Sequence, residues 1–486
     1  TDVIEGGGSM YVGPGSPSIV LPEKRQGVNI QTFTSFPFVH QEQVLYENRI
    51  DEALAYARYN RLNRIAGSDD GATLGIVAAG KAYQDLSQAL RILVADEGQL
   101  GNFGIRVLKV GMVWPMDDAI VREFAEGLHT ILVVEEKRAL LEDQIRTILY
   151  GSPHAPRIIG KYFEGHSYGS DRGETAFPNR GEIDPSMIVK VLSRTALGID
   201  PNCGVAVPNF PDKPAQGTPA PVRSPSFCAG CPHGRSTQVI EGSRALAGIG
   251  CHGMAMMLDP MKTNTISHMG GEGAMWIGQK PFTDEQHVFA NMGDGTYFHS
   301  GFLAIRAAVA AGVPITYKLL YNGFVSMTGG QPVDGELSVE KIVSELVAEG
   351  VQRIALVSDE LEKYRSQAFP SGVTLHPRTD IDSVQRELTR FDNVSVLIFD
   401  QPCATERRRL RKRGKWHDPD KRVFIYPLVC EGCGDCSCVS NCMAIEPLET
   451  EFGRKHQINQ SSCNKDFSCL EGFCPSLVTV VGAVPK

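Results

Sequence analysis

VFANMGDGTYFHSG (residues 288–301), then FLAIRAAVAAGVP (302–314), then ITYKLLYN (315–322) is the stretch that decides the fold. Phe289–Asn291 reads as a strand that brings Asp294 to its carboxyl end, and the flanking Gly293 and Gly295 let the backbone come close to a diphosphate. Ser300–Ala311 has helical composition, with Ser300 expected as its N-cap and Gly312 as its stop. Ile315–Tyr321 reads as the next parallel strand and delivers Asn322, again at a carboxyl end, where open parallel sheets bind ligands. Asp294 and Asn322 offer hard oxygens to Mg²⁺, which wants about six, and the main-chain carbonyl of Phe324 is a third candidate. Thr296 completes the turn. A Gly-Asp-Gly tripeptide alone is a common turn; the strand–helix–strand frame and the downstream Asn make this one a cofactor site.

The same rhythm extends in both directions. Upstream, strands at 72–79, 105–110 and 130–134 alternate with helical spacing at 82–94, 119–128 and 138–149. Downstream, further strands fall at 353–357 and 394–399. Alternation of this kind predicts two doubly wound parallel sheets in an α/β protein. The expected order is an extended arm (1–50), a first α/β domain (51–170), a Gly/Pro-rich connection with one helix near 185–197 (171–225), a cofactor-binding α/β domain (226–405) and a small cysteine-rich tail (406–486). The tail shows little regular patterning, and no internal repeat is evident. The basic run Arg407–Arg413 reads as a solvated linker or a docking patch.

The bulk numbers exclude several classes. The chain has 486 residues and a net charge of −8, which argues against general nucleic-acid binding. It has no apolar run long enough for a spanning helix and no export signal, so it reads as a cytoplasmic protein. Thr1 in place of an initiating Met reads as the start of a segment of a longer polypeptide, or of a processed chain. Eight of the 13 cysteines fall between Cys430 and Cys474, a density that in a large chain without an export signal points to metal or iron–sulfur ligation rather than disulfides. Cys430, Cys433 and Cys436 form the C-x-x-C-x-x-C half-motif of ferredoxins, and Cys474-Pro475 supplies the distant fourth thiolate of a 4Fe–4S cluster; zinc is the alternative. Cys442, Cys463 and Cys469 can hold a second tail cluster with Cys438 as the candidate fourth ligand. A three-thiolate cluster, a non-cysteine ligand, or no second cluster at all stay open.

The phrases GDGTYFHSG (293–301), TGGQP (328–332), GMVWP (111–115) and LVVEEKR (132–138) resemble the large subunit of indolepyruvate (2-oxoacid) ferredoxin oxidoreductases, most closely the long fused bacterial form. The resemblance implies a transketolase C-terminal-like first domain, a thiamine-diphosphate/Mg²⁺ second domain and a ferredoxin-like tail, with two or three 4Fe–4S clusters in all. It places a cofactor-proximal cluster on Cys228, Cys231, Cys251 and Cys403; zinc on Cys228 and Cys231 with His233 or His252, or scattered core cysteines, are the other readings of those residues. It also implies oxidative decarboxylation of a 2-oxoacid, with coenzyme A taking the acyl group and ferredoxin the electrons. Arylpyruvates such as indolepyruvate lead as substrate, followed by branched-chain 2-oxoacids. The family further uses a pyrimidine-binding domain with a ring-activating glutamate, gamma-type domains or subunits, and a dimer of protomers. This chain contains no such pyrimidine domain, so a cofactor-carrying electron-transfer subunit that is inactive without a partner is the second reading. Gly323-Phe324-Val325-Ser326-Met327 departs from the Asp-Ala-Val-Ala-Met of close bacterial relatives and bears on substrate choice at Phe324. His268, in a Gly-rich turn, is a candidate for catalytic contact or a structural histidine. Glu272 is read as a turn residue, and Trp276 and Phe298 as core more readily than pocket.

Overall fold

A computed structural model describes residues 19–23, 38–67, 71–93, 100, 103–164, 173–201, 225–259, 262–333, 335 and 337–482. Two compact units divide the chain at residues 218 and 219.

The first unit is a five-stranded sheet. Its strands are β1 (Arg64–Ala66), β2 (Leu74–Ala79), β3 (Ile105–Val110), β4 (Thr130–Val134) and β5 (Arg157–Ile159), in spatial order β1-β3-β2-β4-β5. All pairs are parallel except β1 with β3. Strands such as β4, Thr-Ile-Leu-Val-Val, are buried at every residue, which is why they read as unbroken apolar runs without alternation. Helices α1 (Gly80–Leu93) and α4 (Pro185–Ile199) pack on one face with β2 and β4, while α2 (Asp118–Ala125) and α3 (Leu141–Leu149) pack on the other. Asp184 caps α4 by accepting from Ser186 N (2.7 Å) and Met187 N (3.0 Å), with Pro185 at the first helical position.

Two boundary expectations need correction here. Helix α4, expected within a connection, belongs to the first domain: Ile188, Val189 and Leu192 are fully buried against Leu86 and Leu90. Of the expected arm, helical turns occupy Val39–Val44 and Leu45–Arg49, and Ile50 opens a helix that runs to Tyr59 within the expected first domain. The rest of the arm falls mostly outside the described residues, as do residues 202–224 with Cys203.

The second unit holds a seven-stranded, wholly parallel sheet. It is built from β6 (Ala245–Ala247), β7 (Thr263–Ile266), β8 (Val288–Gly293), β9 (Ile315–Tyr321), β12 (Arg353–Ser358), β13 (Val373–Pro377) and β14 (Val394–Asp400), in order β13-β12-β14-β9-β8-β6-β7. β6 and β8 are neighbours, yet the chain leaves β6 toward β7 and leaves β8 toward β9, on opposite sides. That reversal opens a crevice at their carboxyl ends. The helix after β8 begins at Asp294 itself and runs through a π-turn at Tyr297–Gly301 into α5 (Phe302–Ala311). Ser300 is therefore not an N-cap. The helix does stop at Gly312, whose φ of 63° suits glycine. On the two faces, α5 and α6 (Val339–Ala348) bury one side of the sheet and α7 (Ile381–Leu388) the other.

The basic run is neither a linker nor a free patch. It forms α8 (Ala404–Lys412), which straps the tail to the sheet domain. Arg408 donates to Ser461 O (2.6 Å) and Ser462 O (3.2 Å), and Arg411 to Asn464 O (2.8 Å). Arg235 and Arg378 both bind the Glu471 carboxylate, at 3.2 and 2.7 Å.

The tail is more regular than expected. β15 (Lys421–Ile425) pairs antiparallel with β18 (Leu477–Val481), β16 (Ile445–Thr450) pairs with β17 (Gly453–Ile458), and α9 (Asp435–Ser440) follows the first cysteine loop. Among the described residues no helix is long and apolar enough to cross a membrane.

Candidate active site and cysteine cavities

Asp294 is 2% exposed and accepts three backbone hydrogen bonds, from Gly295 (2.9 Å), Asn322 (3.0 Å) and Gly323 (2.7 Å). Parallel pairing of β8 with β9 brings the two predicted metal-binding side chains together, since both leave carboxyl ends of adjacent strands. The Asn322 side-chain oxygen Oδ1 accepts from Phe324 N and Ser326 Oγ, each at 3.0 Å. Gly323 turns the chain with φ of 77°, a conformation glycine adopts without strain, so glycine at this place preserves the turn. Beyond it, β10 (Phe324–Val325) and β11 (Gln331–Pro332) form a two-residue ribbon.

These groups open onto a cavity of about 640 Å³, within the usual range for cofactor sites. Gly293, Asp294, Gly295, Thr296, Asn322, Phe324 and Cys251 all line it. Burial pushes the Asp294 carboxyl above the ordinary range, and the amides of Asn322, Gly323 and Gly295 pull it back. All its hydrogen-bond partners are backbone amides, so a divalent cation fits the site by supplying the positive charge that would hold the carboxylate ionised.

Four cysteines distant in sequence meet beside it. Cys228, Cys231, Cys251 and Cys403 line one small cavity of about 80 Å³, which shares His233, Cys251, Asn322 and Ser326 with the larger one. Cys228–Cys231 forms a tight turn closed by Cys231 N donating to Cys228 O (3.0 Å). Cys251 begins the helical turn after β6, and Cys403 stands at the N-terminus of α8. Burial pushes the Cys231 thiol well up, and the three neighbouring cysteines push it further. Such a quartet cannot ionise without a cationic core, which is the chemistry an iron–sulfur cluster supplies. Among the described residues no three His, Cys, Asp or Glu side chains converge as the ligands of a lone metal ion do. A cubane spreads its thiolates over the corners of a cube.

In the tail, burial raises the Cys436 thiol, and the neighbouring Cys474 and Cys430 raise it further, while Cys433 is exposed. The second predicted group differs from expectation. Asp466 and Cys463 act on Cys442, and Asp466, Cys463 and Cys442 act on Cys469, whose thiol is pushed up to about 12 chiefly by burial. Cys438 acts on none of these. It is exposed on α9, and its carbonyl accepts from Gln238 at 3.5 Å.

His268 is exposed, and its neighbour Met269 is the one that lines the cavity. Glu272 is fully buried and accepts from Gly270 N (2.8 Å) and Ile249 N (3.4 Å), tying two turns together as expected. Trp276 is core, with Nε1 donating to Pro314 O (3.0 Å). Phe298, by contrast, is 42% exposed and lines the cavity. A residue not singled out for this cavity is His252: it lines the wall, both ring nitrogens are buried without a partner, and a Cβ on Gly293 would lie 3.3 Å from Nε2. The Cys251-His252 dipeptide was its only signal.

Two family models match: the indolepyruvate oxidoreductase domain over residues 63–200, and the C-terminal thiamine-pyrophosphate-binding domain over 248–352. Among curated proteins, the indolepyruvate oxidoreductase subunit IorA of Methanothermobacter marburgensis is 25% identical over 80% of this chain and 62% of its own length. The same subunit of Thermococcus kodakarensis is 26% identical, with the same coverage of 80% and 62%. A solved 2-oxoglutarate:ferredoxin oxidoreductase from Magnetococcus marinus aligns with 37% of this chain and 65% of its own, at 19% identity and a TM-score of 0.29. The chain spans about three fifths of the length of the curated relatives it matches. With one match in each unit and similarity running through most of its length, the chain is similar to indolepyruvate oxidoreductase subunits.

Proposed function

We propose that this chain forms the diphosphate-binding and electron-collecting part of a cytoplasmic enzyme that oxidatively decarboxylates a 2-oxoacid, passing the acyl group to coenzyme A and electrons to ferredoxin. The observation that carries this reading is the shared wall: Asn322, from the predicted magnesium site, and Cys251, from the cysteine quartet, line both cavities. A site that oxidises a bound intermediate one electron at a time needs that proximity.

Thiamine diphosphate, when bound, supplies the electron sink that lets a 2-oxoacid lose CO₂. Asp294, Asn322 and the Phe324 carbonyl hold the Mg²⁺, and Gly293 and Gly295 admit the phosphates. These residues position rather than transfer protons. Cys228, Cys231, Cys251 and Cys403 would hold the first 4Fe–4S group, and the tail cysteines would hold further clusters, the groups that accept and pass on electrons. Phe298, Phe324, Val325 and Met327 give the cavity apolar and aromatic walls, which favours an arylpyruvate such as indolepyruvate over a small 2-oxoacid.

One observation supports a second subunit or domain. Among the described residues lining the cavity there is no glutamate, and Glu272 is already engaged with backbone amides. The carboxylate that activates the aminopyrimidine ring then comes from a pyrimidine-binding partner, with gamma-type domains and a second protomer completing the enzyme. The test is iron and sulfide analysis of anaerobically purified chain, followed by methyl-viologen reduction with a panel of 2-oxoacids, with and without the partner. Iron-bearing protein that turns over arylpyruvates once the partner is added is the expected result. Colourless, zinc-containing protein would overturn it.

A further inference from the structure

The tail is a repeat written twice, and the second copy carries a carboxylate where the first has a cysteine. Cys430-x-x-Cys433-x-x-Cys436 aligns with Cys463-x-x-Asp466-x-x-Cys469 at a constant offset of 33 residues. The backbone repeats as closely as the spacing. β15 ends at Ile425 and β17 at Ile458, each five residues before the first cysteine of its loop. Cys430 N donates to Tyr426 O and Cys463 N to Asn459 O, both at 3.0 Å. Each first thiol then accepts a hydrogen bond from the amide two residues on, Gly432 N to Cys430 Sγ and Lys465 N to Cys463 Sγ, both at 3.4 Å.

The left-handed positions coincide too. Gly432 (φ 73°) and Gly434 (φ 84°) in the first loop are matched by Lys465 (φ 55°) and Phe467 (φ 62°) in the second. A lysine and a phenylalanine in that region carry backbone strain that glycine avoids, and strain of this kind persists where a site demands it. A short helix follows each loop, Asp435–Ser440 and Ser468–Glu471. A closing cysteine comes next, Cys442 or Cys474, with the amide three residues later donating back to its carbonyl at 3.1 and 3.3 Å.

We infer that Asp466 is the fourth ligand of the second tail cluster, one carboxylate oxygen binding iron alongside the thiolates of Cys442, Cys463 and Cys469. The inference rests on the iron–sulfur reading above and deepens it. The crossed pairing follows ferredoxin logic, in which each loop's trio is completed by the closing cysteine of the other half: Cys474 for the first loop, Cys442 for the second. Cys438 occupies no ligand position in either copy. Its counterpart 33 residues on is Glu471, which is spent on Arg235 and Arg378.

The surroundings of Asp466 agree. Its carboxylate accepts only a long bond from Ser468 N (3.4 Å), and among the described residues no basic side chain forms an ion pair with it. A Cβ placed on Gly230 would lie 2.9 Å from Asp466 Oδ1, so the carboxylate abuts the Cys228–Cys231 turn. Asn464, two residues earlier, donates to Ala229 O (2.7 Å). The second loop thereby abuts the turn that carries Cys228 and Cys231 of the proximal quartet.

The full chain, purified anaerobically, is compared with Asp466→Asn, Asp466→Cys and Cys438→Ser by iron and sulfide content and by electron paramagnetic resonance. Asp466→Asn is expected to lose about one iron per chain and to show an oxidised three-iron signal. Asp466→Cys should keep its iron but change the reduced spectrum, and Cys438→Ser should match the parent. If Asp466→Asn keeps the parent's iron and spectrum, if Asp466→Cys is indistinguishable from the parent, or if Cys438→Ser is the variant that loses iron, the inference is wrong. A parent chain without iron and sulfide would sink the functional reading as well; a fully loaded parent indifferent to Asp466 sinks only this inference.

Discussion

Glu135 in the first unit and Asp294 in the second are the same chemical object in different employment. Each is a buried carboxylate just past a central strand, each accepts three backbone amides, and burial raises the pKa of each. The donors differ. Glu135 takes Leu140 N, Leu141 N and Glu142 N, all at the start of α3, while its own carbonyl accepts from the buried Lys161. It closes a helix end. Asp294 draws on loops from two neighbouring strands and lines a cavity of about 640 Å³. A perturbed carboxylate therefore marks a candidate only when it also faces space.

The comparison can be broken most severely at Asp294 itself. Asp294→Ala is expected to weaken Mg²⁺-dependent thiamine diphosphate binding by roughly 100-fold or more, and to destabilise the second unit by about 2 kcal/mol because three backbone amides lose their acceptor. Titration calorimetry and a melting curve on the same sample read both. Asn322→Ala should weaken binding by about 10- to 100-fold. Equal binding by parent and variant would remove Asn322 from the site.

Acid should separate the units next. His287 lies in the second unit, bonded to Thr316 Oγ1 at 2.7 Å, and burial pushes its pKa down to about 4. Its neutral form is favoured on folding, so its contribution is complete above the unfolded value of about 6.5 and is lost as pH falls toward 4. The shift corresponds to about 3 kcal/mol. In the first unit, His129 and His154 are exposed. Denaturant unfolding of the second unit between pH 7 and pH 4 should show the slope, and His287→Gln should reduce it, the remainder being carried by the buried His233 and His252.

Glu135→Ala is expected to destabilise the first unit by about 2 kcal/mol, since three amides lose their acceptor, while thiamine diphosphate binding stays unchanged. A binding defect would mean that the two carboxylates share a role. The smallest effect is expected at Glu471→Gln, which weakens two arginine contacts. About 1 kcal/mol should appear as faster proteolysis of the tail, with the sheet domain intact.

Much of this architecture was legible because its strands are buried on both faces. Ile105–Val110, Thr130–Val134 and Ile315–Tyr321 match their expected bounds for that reason. The missed strands are short or half exposed: Ala245–Ala247 has three residues, and Thr-Asn-Thr-Ile at 263–266 has no apolar run. Gly293, Asp294 and Asn322 were legible because glycine and hard-oxygen chemistry is local in sequence. His252 was not, since its place against Gly293 depends on β6 lying next to β8. The tail repeat was hidden by one substitution: a search for cysteines alone passes over C-x-x-D-x-x-C. Ser300 misled because hydroxyl residues mark N-caps, whereas here the Asp294 turn is already helical.

The central claim is that Asp294 and Asn322 together hold a magnesium-bound diphosphate. Its most direct test is calorimetric titration of the anaerobically purified full chain with thiamine diphosphate, with Mg²⁺ or with a chelator. Saturable binding that needs the metal and is abolished by Asp294→Ala is the predicted result. Binding that survives both the chelator and the substitution would contradict it.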